Sequence, residues 1–281
     1  MSGQVPFRAN VDPPHEQTPH YEVYALKYAE RQARRPEHFI GGDPHDQPMD
    51  MDYFVWAIVG PDSTWIVDTG FDRLDAARRQ RTLVRSVTEA LATIDLDAAS
   101  VDNVILTHLH YDHVGGFAQF PRATFHLQDD EMGYATGRYM THHGFSNAYT
   151  PDHVADLVHL VYDQRVSFID GDAALAPGLS VHLVGGHTKG LQVVRVATAF
   201  GWLVLASDAS HFYENMETGR PFPIAFSLGP MLEGHRRCYQ LASSAEAVIP
   251  GHDPRVFDLF PPARPGLDGI AVRLDIEPTG T

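Results

Sequence analysis

The side chains best suited to chemistry lie in one short segment that follows an apolar run. Residues 104–116 read VILTHLHYDHVGG, and four metal-ligand side chains fall within six positions: His108, His110, Asp112 and His113. Imidazole nitrogens and carboxylate oxygens bind zinc and related divalent ions well. Side chains alternate along an extended segment, so His108 and His110 would point the same way, and the chain must then turn at Asp112 and His113. A polar turn with surface histidines is the alternative, and four ligand-type residues in this pattern favour a metal site over it.

Four side chains are too few for two metal ions, so other parts of the chain must supply more ligands. Three further ligand-type residues each follow a short apolar run, beside glycine or a small residue: His187, Asp208 and His252. Any one of them alone would more often be a structural polar residue. Together, in the same local context, they indicate a site with two metal ions.

Short elements are expected to position these ligands. Apolar runs predict strands at 21–28, 53–59, 64–67, 101–106, 123–127, 179–184, 192–197, 202–206 and 247–249. Apolar residues at helical spacing predict helices over 82–94 and 231–243, with further helix within 129–165 around a loop at 141–151. Residues 31–50 are expected to form a long loop. Strands interleaved with helices favour an α/β layered domain over residues 21–281, preceded by an extended arm at 1–20.

The order HxHxDH, His, Asp, His resembles that of the metallo-β-lactamase-fold hydrolases, with matching motifs spread over residues 68 to 252. The resemblance implies an αββα sandwich, two mixed sheets flanked by helices, with the site at one edge between the sheets. It also implies that Asp208 bridges two metal ions. The ligands of one ion would be His108, His110 and His187, and those of the other Asp112, His113 and His252.

Two more positions take a role from this resemblance. Asp68, in the segment Val67-Asp68-Thr69-Gly70, matches the family's acidic residue behind the ligands, and a turn or helix cap is a compatible role. Tyr111 lies inside the ligand motif and is therefore expected near the metals.

Within the family, the chain is most similar to the N-acyl-homoserine lactonases. True β-lactamases of this fold generally lack the bridging aspartate, and diiron flavoproteins usually have Glu at the position of His110. Glyoxalase II enzymes usually carry a C-terminal helical domain, whereas 29 residues follow His252 here. Lactonases of this type often have a tyrosine three residues after the bridging aspartate. That position is His211 here, so either His211 or nearby Tyr213 could hydrogen-bond the substrate carbonyl, or the substrate differs.

The resemblance thus implies a dinuclear metal-dependent hydrolase that opens an N-acyl-homoserine lactone or another small lactone. A hydroxide bridging two ions about 3.5–4 Å apart would attack the carbonyl. Zinc is the expected metal, and iron, manganese and cobalt are compatible. The residues assigned to catalysis are Asp112, Asp208, His211 and Tyr213. The alternatives are a hydrolase of another ester, a thioester or a phosphoester on the same site, and a non-catalytic metal-binding protein.

The amino-acid composition limits the classes of binding partner that we expect. The 281 residues include 36 acidic and 21 basic side chains, for a net charge of −15, which disfavours nucleic acid. Two basic clusters, one at 31–35 and one at 78–81, are interpreted as solvated surface. No apolar run approaches the roughly 20 residues of a membrane span, and no secretory signal is recognisable. We therefore expect a cytoplasmic protein with a small lactone or ester substrate, able to form a homodimer.

Overall fold

Residues 12–279 are described by a computed structural model in which the strands form two mixed sheets. In chain order these strands are β1 (Glu22–Arg31), β2 (Met51–Val59), β3 (Thr64–Val67), β4 (Thr82–Leu83), β5 (Asn103–Ile105), β6 (Thr124–Gln128), β7 (Val166–Ile169), β8 (Ala173–Ala176), β9 (Leu179–Leu183), β10 (Gln192–Thr198), β11 (Gly201–Ser207), β12 (Val248–Pro250) and β13 (Ala271–Arg273). The first sheet has the order β13-β1-β2-β3-β5-β6-β7, with β4 beside β1. The second has the order β12-β11-β10-β9-β8.

Nine α-helices occur in the same range, together with short 3₁₀ turns. They are α1 (Arg73–Arg79), α2 (Val87–Ala92), α3 (Tyr111–Val114), α4 (Asp129–Ala135), α5 (His143–Ser146), α6 (Pro151–Tyr162), α7 (Tyr213–Thr218), α8 (Leu228–Leu241) and α9 (Arg255–Leu259). The predicted α/β class with two mixed sheets flanked by helices is confirmed. No helix of the described residues is long and apolar enough to cross a membrane.

Strand β2 shows why its sequence is a continuous apolar run. Phe54, Trp56 and Ile58 lie in the hydrophobic core that joins the two sheets. Val55 and Ala57 point the opposite way, into the core between the first sheet and its outer helices. Because side chains alternate along a strand, one that is covered on both faces must be apolar throughout.

The segment 82–94 departs from the predicted helix. Its first residues form the short strand β4, and the helix α2 begins only after Ser86. The Ser86 hydroxyl accepts a hydrogen bond from the backbone N–H of Glu89, and the Glu89 carboxylate accepts one from the backbone N–H of Ser86. This reciprocal cap starts a helix at Val87, while the backbone N–H of Val84 donates to the Tyr28 carbonyl and keeps the preceding chain extended.

The predicted N-terminal arm falls partly outside the described residues, which begin at Asp12. The Asp12 carbonyl accepts a hydrogen bond from Trp202 Nε1 at 3.0 Å, and the backbone N–H of Tyr21 donates to the Ala197 carbonyl at 2.9 Å. Residues 12–21 therefore run against the second sheet. The single-domain organisation and the homodimer stay predictions.

Candidate metal centre

Each ligand-type residue lies shortly after the end of a strand, at one edge of the two sheets. Strand β5 precedes the histidine-rich turn, β9 precedes His187, β11 precedes Asp208, and β12 precedes His252. Neighbours β3 and β5 are parallel, as are β11 and β12, so their carboxyl ends meet at a common edge. The residues of the HxHxDH motif are thereby brought beside residues that lie up to 144 positions away in the chain.

In the part of the chain that the structure describes, possible ligands form four overlapping groups, two of which include Asp208: His108, His113 and Asp208, and His187, Asp208 and His211. The second of these makes His211 a possible ligand as well. The other two groups contain the remaining predicted ligands. In one, a ligand atom from each of His108, His110 and His187 lies within 4.8 Å of the others. In the other, Asp112, His113 and His252 satisfy the same limit. These are the two sets that the family resemblance implied.

Asp208 lies between these groups, with one carboxylate oxygen turned to each. Its Oδ2 is 3.3 Å from His187 Nε2 and 3.9 Å from His108 Nε2. Its Oδ1 is 3.1 Å from His252 Nε2 and 3.5 Å from His113 Nε2. A carboxylate placed in this way is suited to bridging two cations.

The far sides of several imidazole rings are fixed by hydrogen bonds. Nδ1 of His187 contacts the Ile224 carbonyl at 2.7 Å, and Nδ1 of His252 contacts the Asp52 carbonyl at 2.9 Å. A ring that donates its Nδ1 proton to a carbonyl oxygen can present Nε2 to a metal ion. Such partners hold the tautomer that metal binding needs.

Asp68 supplies the same support to His113. Its Oδ2 is 2.7 Å from His113 Nδ1, and its carboxylate also accepts from the backbone N–H and the hydroxyl of Thr107, both at 2.8 Å. Asp68 has a positive φ of 66°, a conformation that the surrounding contacts must stabilise. The sharp turn after β3 thus points a carboxylate into the centre from behind the ligands.

The donor set fits divalent metal ions. Among the described residues, three buried atoms at the centre make no hydrogen bond of normal geometry: His108 Nε2, His113 Nε2 and Asp208 Oδ1. Asp208 Oδ1 is near the imidazole nitrogens of His113 and His252, but the angles are unsuitable for hydrogen bonds. Buried polar atoms without partners are costly, and coordination would satisfy all three. Nitrogen and oxygen donors without thiolates suit zinc, and also iron, manganese or cobalt.

The pKa values of the histidines at the centre are shifted in opposite directions. Burial lowers the pKa values of His108 and His110 well below the ordinary value, so both rings are neutral and ready to bind. Burial also acts to lower the pKa of His113, but Asp68, Asp208 and Asp112 outweigh it and raise that pKa well above the ordinary value. Metal binding would therefore displace a proton from His113.

The two candidates for contact with the substrate carbonyl are placed differently. His211 lines the cavity at the centre, with Nε2 3.0 Å from Asp208 Oδ2 and its ring stacked on Phe222 at 3.4 Å. Burial lowers its pKa to about 3, so the ring is neutral. Tyr213 packs instead in the core between the sheets, with the Arg255 guanidinium over its ring at 5.2 Å. The placement of Tyr213 does not support the predicted substrate contact.

The cavity at the centre has a volume of about 120 Å³. Tyr111 lines it, as expected, together with Asp112, Phe222 and residues of the loop predicted at 31–50, including Glu37 and His38. That loop is tied to the rest of the chain by ion pairs, since Arg35 pairs with Glu214. The loops at 31–50 and after β11 thus form one wall of the site.

Glu131 is a buried residue that the sequence reasoning missed. Its Oε1 accepts hydrogen bonds from the Leu109 backbone N–H at 3.0 Å and from the Tyr149 hydroxyl at 2.9 Å. Its Oε2 accepts from the Gly190 backbone N–H at 3.0 Å. One carboxylate therefore joins the HxHxDH turn to the loop that carries His187. The available signal was an acidic residue shortly after β6, at the same sheet edge as the ligands.

With this geometry in place, comparison with known proteins defines the class. Residues 50–258 match the family model of the metallo-β-lactamase superfamily. The chain belongs to that superfamily.

Its relatives include N-acyl-homoserine lactonases. An N-acyl homoserine lactonase of Bacillus thuringiensis is 30% identical over 152 residues, which cover 53% of this chain and 55% of that protein. The chain thus spans about half the length of these relatives. A quorum-quenching N-acyl homoserine lactone lactonase has a solved structure with a TM-score of 0.70 at 21% identity, covering 84% of this chain and 93% of its own. The dizinc lactonase AidC gives 0.67 at 18% identity, covering 87% and 90%. These likenesses establish the fold.

Proposed function

We propose that the protein is a metal-dependent hydrolase that opens the ring of a small lactone. The observation that carries the proposal is the pair of three-ligand groups with Asp208 between them, one carboxylate oxygen facing each group. The relatives named as lactonases support the same reaction class. Two divalent ions bound here would acidify water and polarise an ester carbonyl.

The remaining chemistry falls to side chains. Ring opening joins a water oxygen to the carbonyl carbon, breaks the bond to the ring oxygen, and places a proton on that oxygen. The neutral His211 ring has one N–H, and its Nε2 lies 3.0 Å from Asp208 Oδ2. The Asp208–His211 pair can therefore hold a proton and pass it to the leaving oxygen. In that arrangement His211 orients Asp208.

The size of the cavity bears on the substrate. About 120 Å³ beside the ligands accommodates a small ring, and Phe222 and Ile224 provide apolar walls. The same donors would also serve another ester, a thioester or a phosphoester. The proposal of a lactone substrate rests on the lactonase relatives and on the small volume of the cavity.

The test is acid release from a panel of lactones, followed in a pH-stat after zinc reconstitution, with a thioester and a phosphodiester as comparisons. We expect turnover of at least one lactone. The Asp208→Ala variant should lose activity and at least one bound metal, because both groups lose their shared oxygen ligand. Tyr213→Phe is the matched control and should keep both, since that ring lies in the core. Wild-type rates in Asp208→Ala would refute the assignment.

A further inference from the structure

The basic cluster at 78–81 was predicted to be solvated surface, and this prediction is wrong for two of its arginines. Arg79 and Arg81 are partly buried, and both line the cavity at the metal centre. Both also line a second, larger cleft of about 450 Å³. Asn147 belongs to both walls as well, so the cleft adjoins the metal-site cavity.

The two arginines differ in which donors are used: both Nη atoms of Arg79 donate, whereas only one Nη atom of Arg81 does. Arg79 donates from Nη1 to the Asn147 carbonyl at 2.8 Å and from Nη2 to the Tyr149 carbonyl at 3.2 Å, and its guanidinium covers the Tyr111 ring at 3.9 Å. These contacts hold it in place, although its buried Nε has no hydrogen-bond partner and lies 4.0 Å from Asp75 Oδ1. Arg79 is therefore a structural part of the wall.

Arg81 has one terminal nitrogen, Nη2, that makes no hydrogen bond to the described residues. Its Nε donates to the Tyr111 hydroxyl at 3.0 Å and its Nη1 to the Arg79 carbonyl at 2.6 Å. Within residues 12–279, no acceptor is found for its Nη2 and no carboxylate lies within 4.0 Å of it. Arg31, also at the cavity, differs because it pairs with Glu37. Asp112 acts on the Arg81 guanidinium electrostatically, yet it makes no ion pair with it. A guanidinium that lines a cavity and has an unused N–H donor can bind an anionic ligand there.

The cleft has the charge to receive such a ligand. Arg78, Arg79 and Arg81 line it with one carboxylate, that of Asp75. Asp75 is already engaged, since it accepts from the Thr150 hydroxyl at 3.1 Å and lies 3.2 Å from His153 Nε2. The chain as a whole carries a charge of −15 and repels anions at a distance, so an anionic ligand needs a local cationic contact of this kind.

We infer that the substrate carries an oxyanion substituent, a carboxylate or a phosphate, that binds Arg81 and extends into the arginine-lined cleft. The inference rests on the proposed function, because the ester of that substrate would lie at the metal ligands. The planar guanidinium fork matches the geometry of both anions. Tyr111 links the two regions, since its hydroxyl binds Arg81 and the next residue in the chain is Asp112.

The kinetic test uses the zinc-loaded enzyme and a pair of γ-lactones that differ in one group, a ring carboxylate or its neutral amide. We expect the wild type to prefer the carboxylate. Arg81→Gln should lower kcat/KM for the carboxylate by about tenfold or more, as for loss of a charge-assisted hydrogen bond, and change the amide by less than about threefold. Arg73→Gln, a matched surface change on α1, should change neither. An equal loss on both lactones, or no preference in the wild type, would overturn the inference.

A binding measurement separates this inference from the proposed function. Isothermal titration of the zinc-loaded wild type and Arg81→Gln with succinate, succinamide and inorganic phosphate compares the same metals in both proteins. Weaker binding of succinate or of phosphate by the variant supports the inference and identifies the anion, even if no lactone is hydrolysed. Equal affinities overturn it. Should Arg81→Gln fail to fold, Arg81→Lys keeps the charge without the fork and should bind the preferred anion more weakly than the wild type.

Discussion

Replacing Glu131 by glutamine tests whether one buried carboxylate holds two ligand segments together. The groups that face the Glu131 carboxylate are donors: the backbone N–H groups of Leu109 and Gly190 and the Tyr149 hydroxyl, with the Thr188 hydroxyl also lowering the pKa of Glu131. A glutamine accepts on one side only and turns its own N–H groups towards a donor on the other. Hydrogen bonds to a charged group contribute about 1.5–3 kcal/mol each, so loss of one or two should destabilise the fold by about 1.5–6 kcal/mol.

The same change should weaken metal binding. Leu109 lies between His108 and His110, and Gly190 lies three residues after His187, so all three ligands of one group depend on Glu131. Loss of a supporting contact of this kind typically costs about 10–100-fold in metal affinity. Urea unfolding in the presence of chelator gives the stability change, provided that the slope against urea is unchanged. Zinc competition against a chelator gives the affinity.

Asp130→Asn is the control, because it is the same chemical change at the neighbouring position of α4. Asp130 forms an exposed ion pair with Lys189 at 2.5 Å, which should contribute less than about 1 kcal/mol. Burial raises the pKa of Glu131 while its donors oppose the shift, and a neutral Glu131 would resemble glutamine. If Glu131→Gln matched Asp130→Asn in stability and zinc affinity at pH 8, the reasoning would be refuted.

Two further predictions concern Asp68 and His126. Asp68→Asn removes the negative charge behind His113 and should weaken zinc binding by about 10–100-fold, measured by chelator competition; unchanged affinity would contradict the supporting role. Burial lowers the pKa of His126 to about 4, below the value near 6.5 of an unfolded histidine. As the pH falls, the unfolded chain therefore takes up the proton before the folded protein does. The contribution of His126 to the free energy of unfolding is full above pH 6.5, and it declines towards pH 4 by up to about 1.4 kcal/mol per pH unit. The curve of unfolding free energy against pH should be shallower for His126→Gln than for the wild type. Parallel curves for the two proteins would contradict this role of His126.

The sequence was sufficient to predict which ligand-type residues come together and where most strands lie. The HxHxDH motif holds four ligand-type residues within six positions, and each distant candidate follows an apolar run, so local patterns predicted that they belong to one site. The edge of the sheets at which they meet was implied by the family resemblance. The strands confirmed in this way are those with continuous apolar runs, such as β2, β10 and β11. The boundaries of strands and helices were harder to predict where they depend on contacts with distant residues. At β4, for example, a hydrogen bond to Tyr28 keeps the chain extended.

The tertiary structure alone decided which neighbours reach the centre. His211 and Tyr213 are two residues apart, and their directions are set by packing, since one ring stacks on Phe222 while the other enters the core between the sheets. Glu131 and Arg81 acquire their roles from groups distant in sequence: Leu109, whose backbone N–H binds Glu131, is 22 positions away, and Tyr111, whose hydroxyl binds Arg81, is 30 positions away. The local spacing of histidines and aspartates indicates which residues are candidate metal ligands. The direction and the partners of a side chain depend on contacts that form only when the sheets pack together.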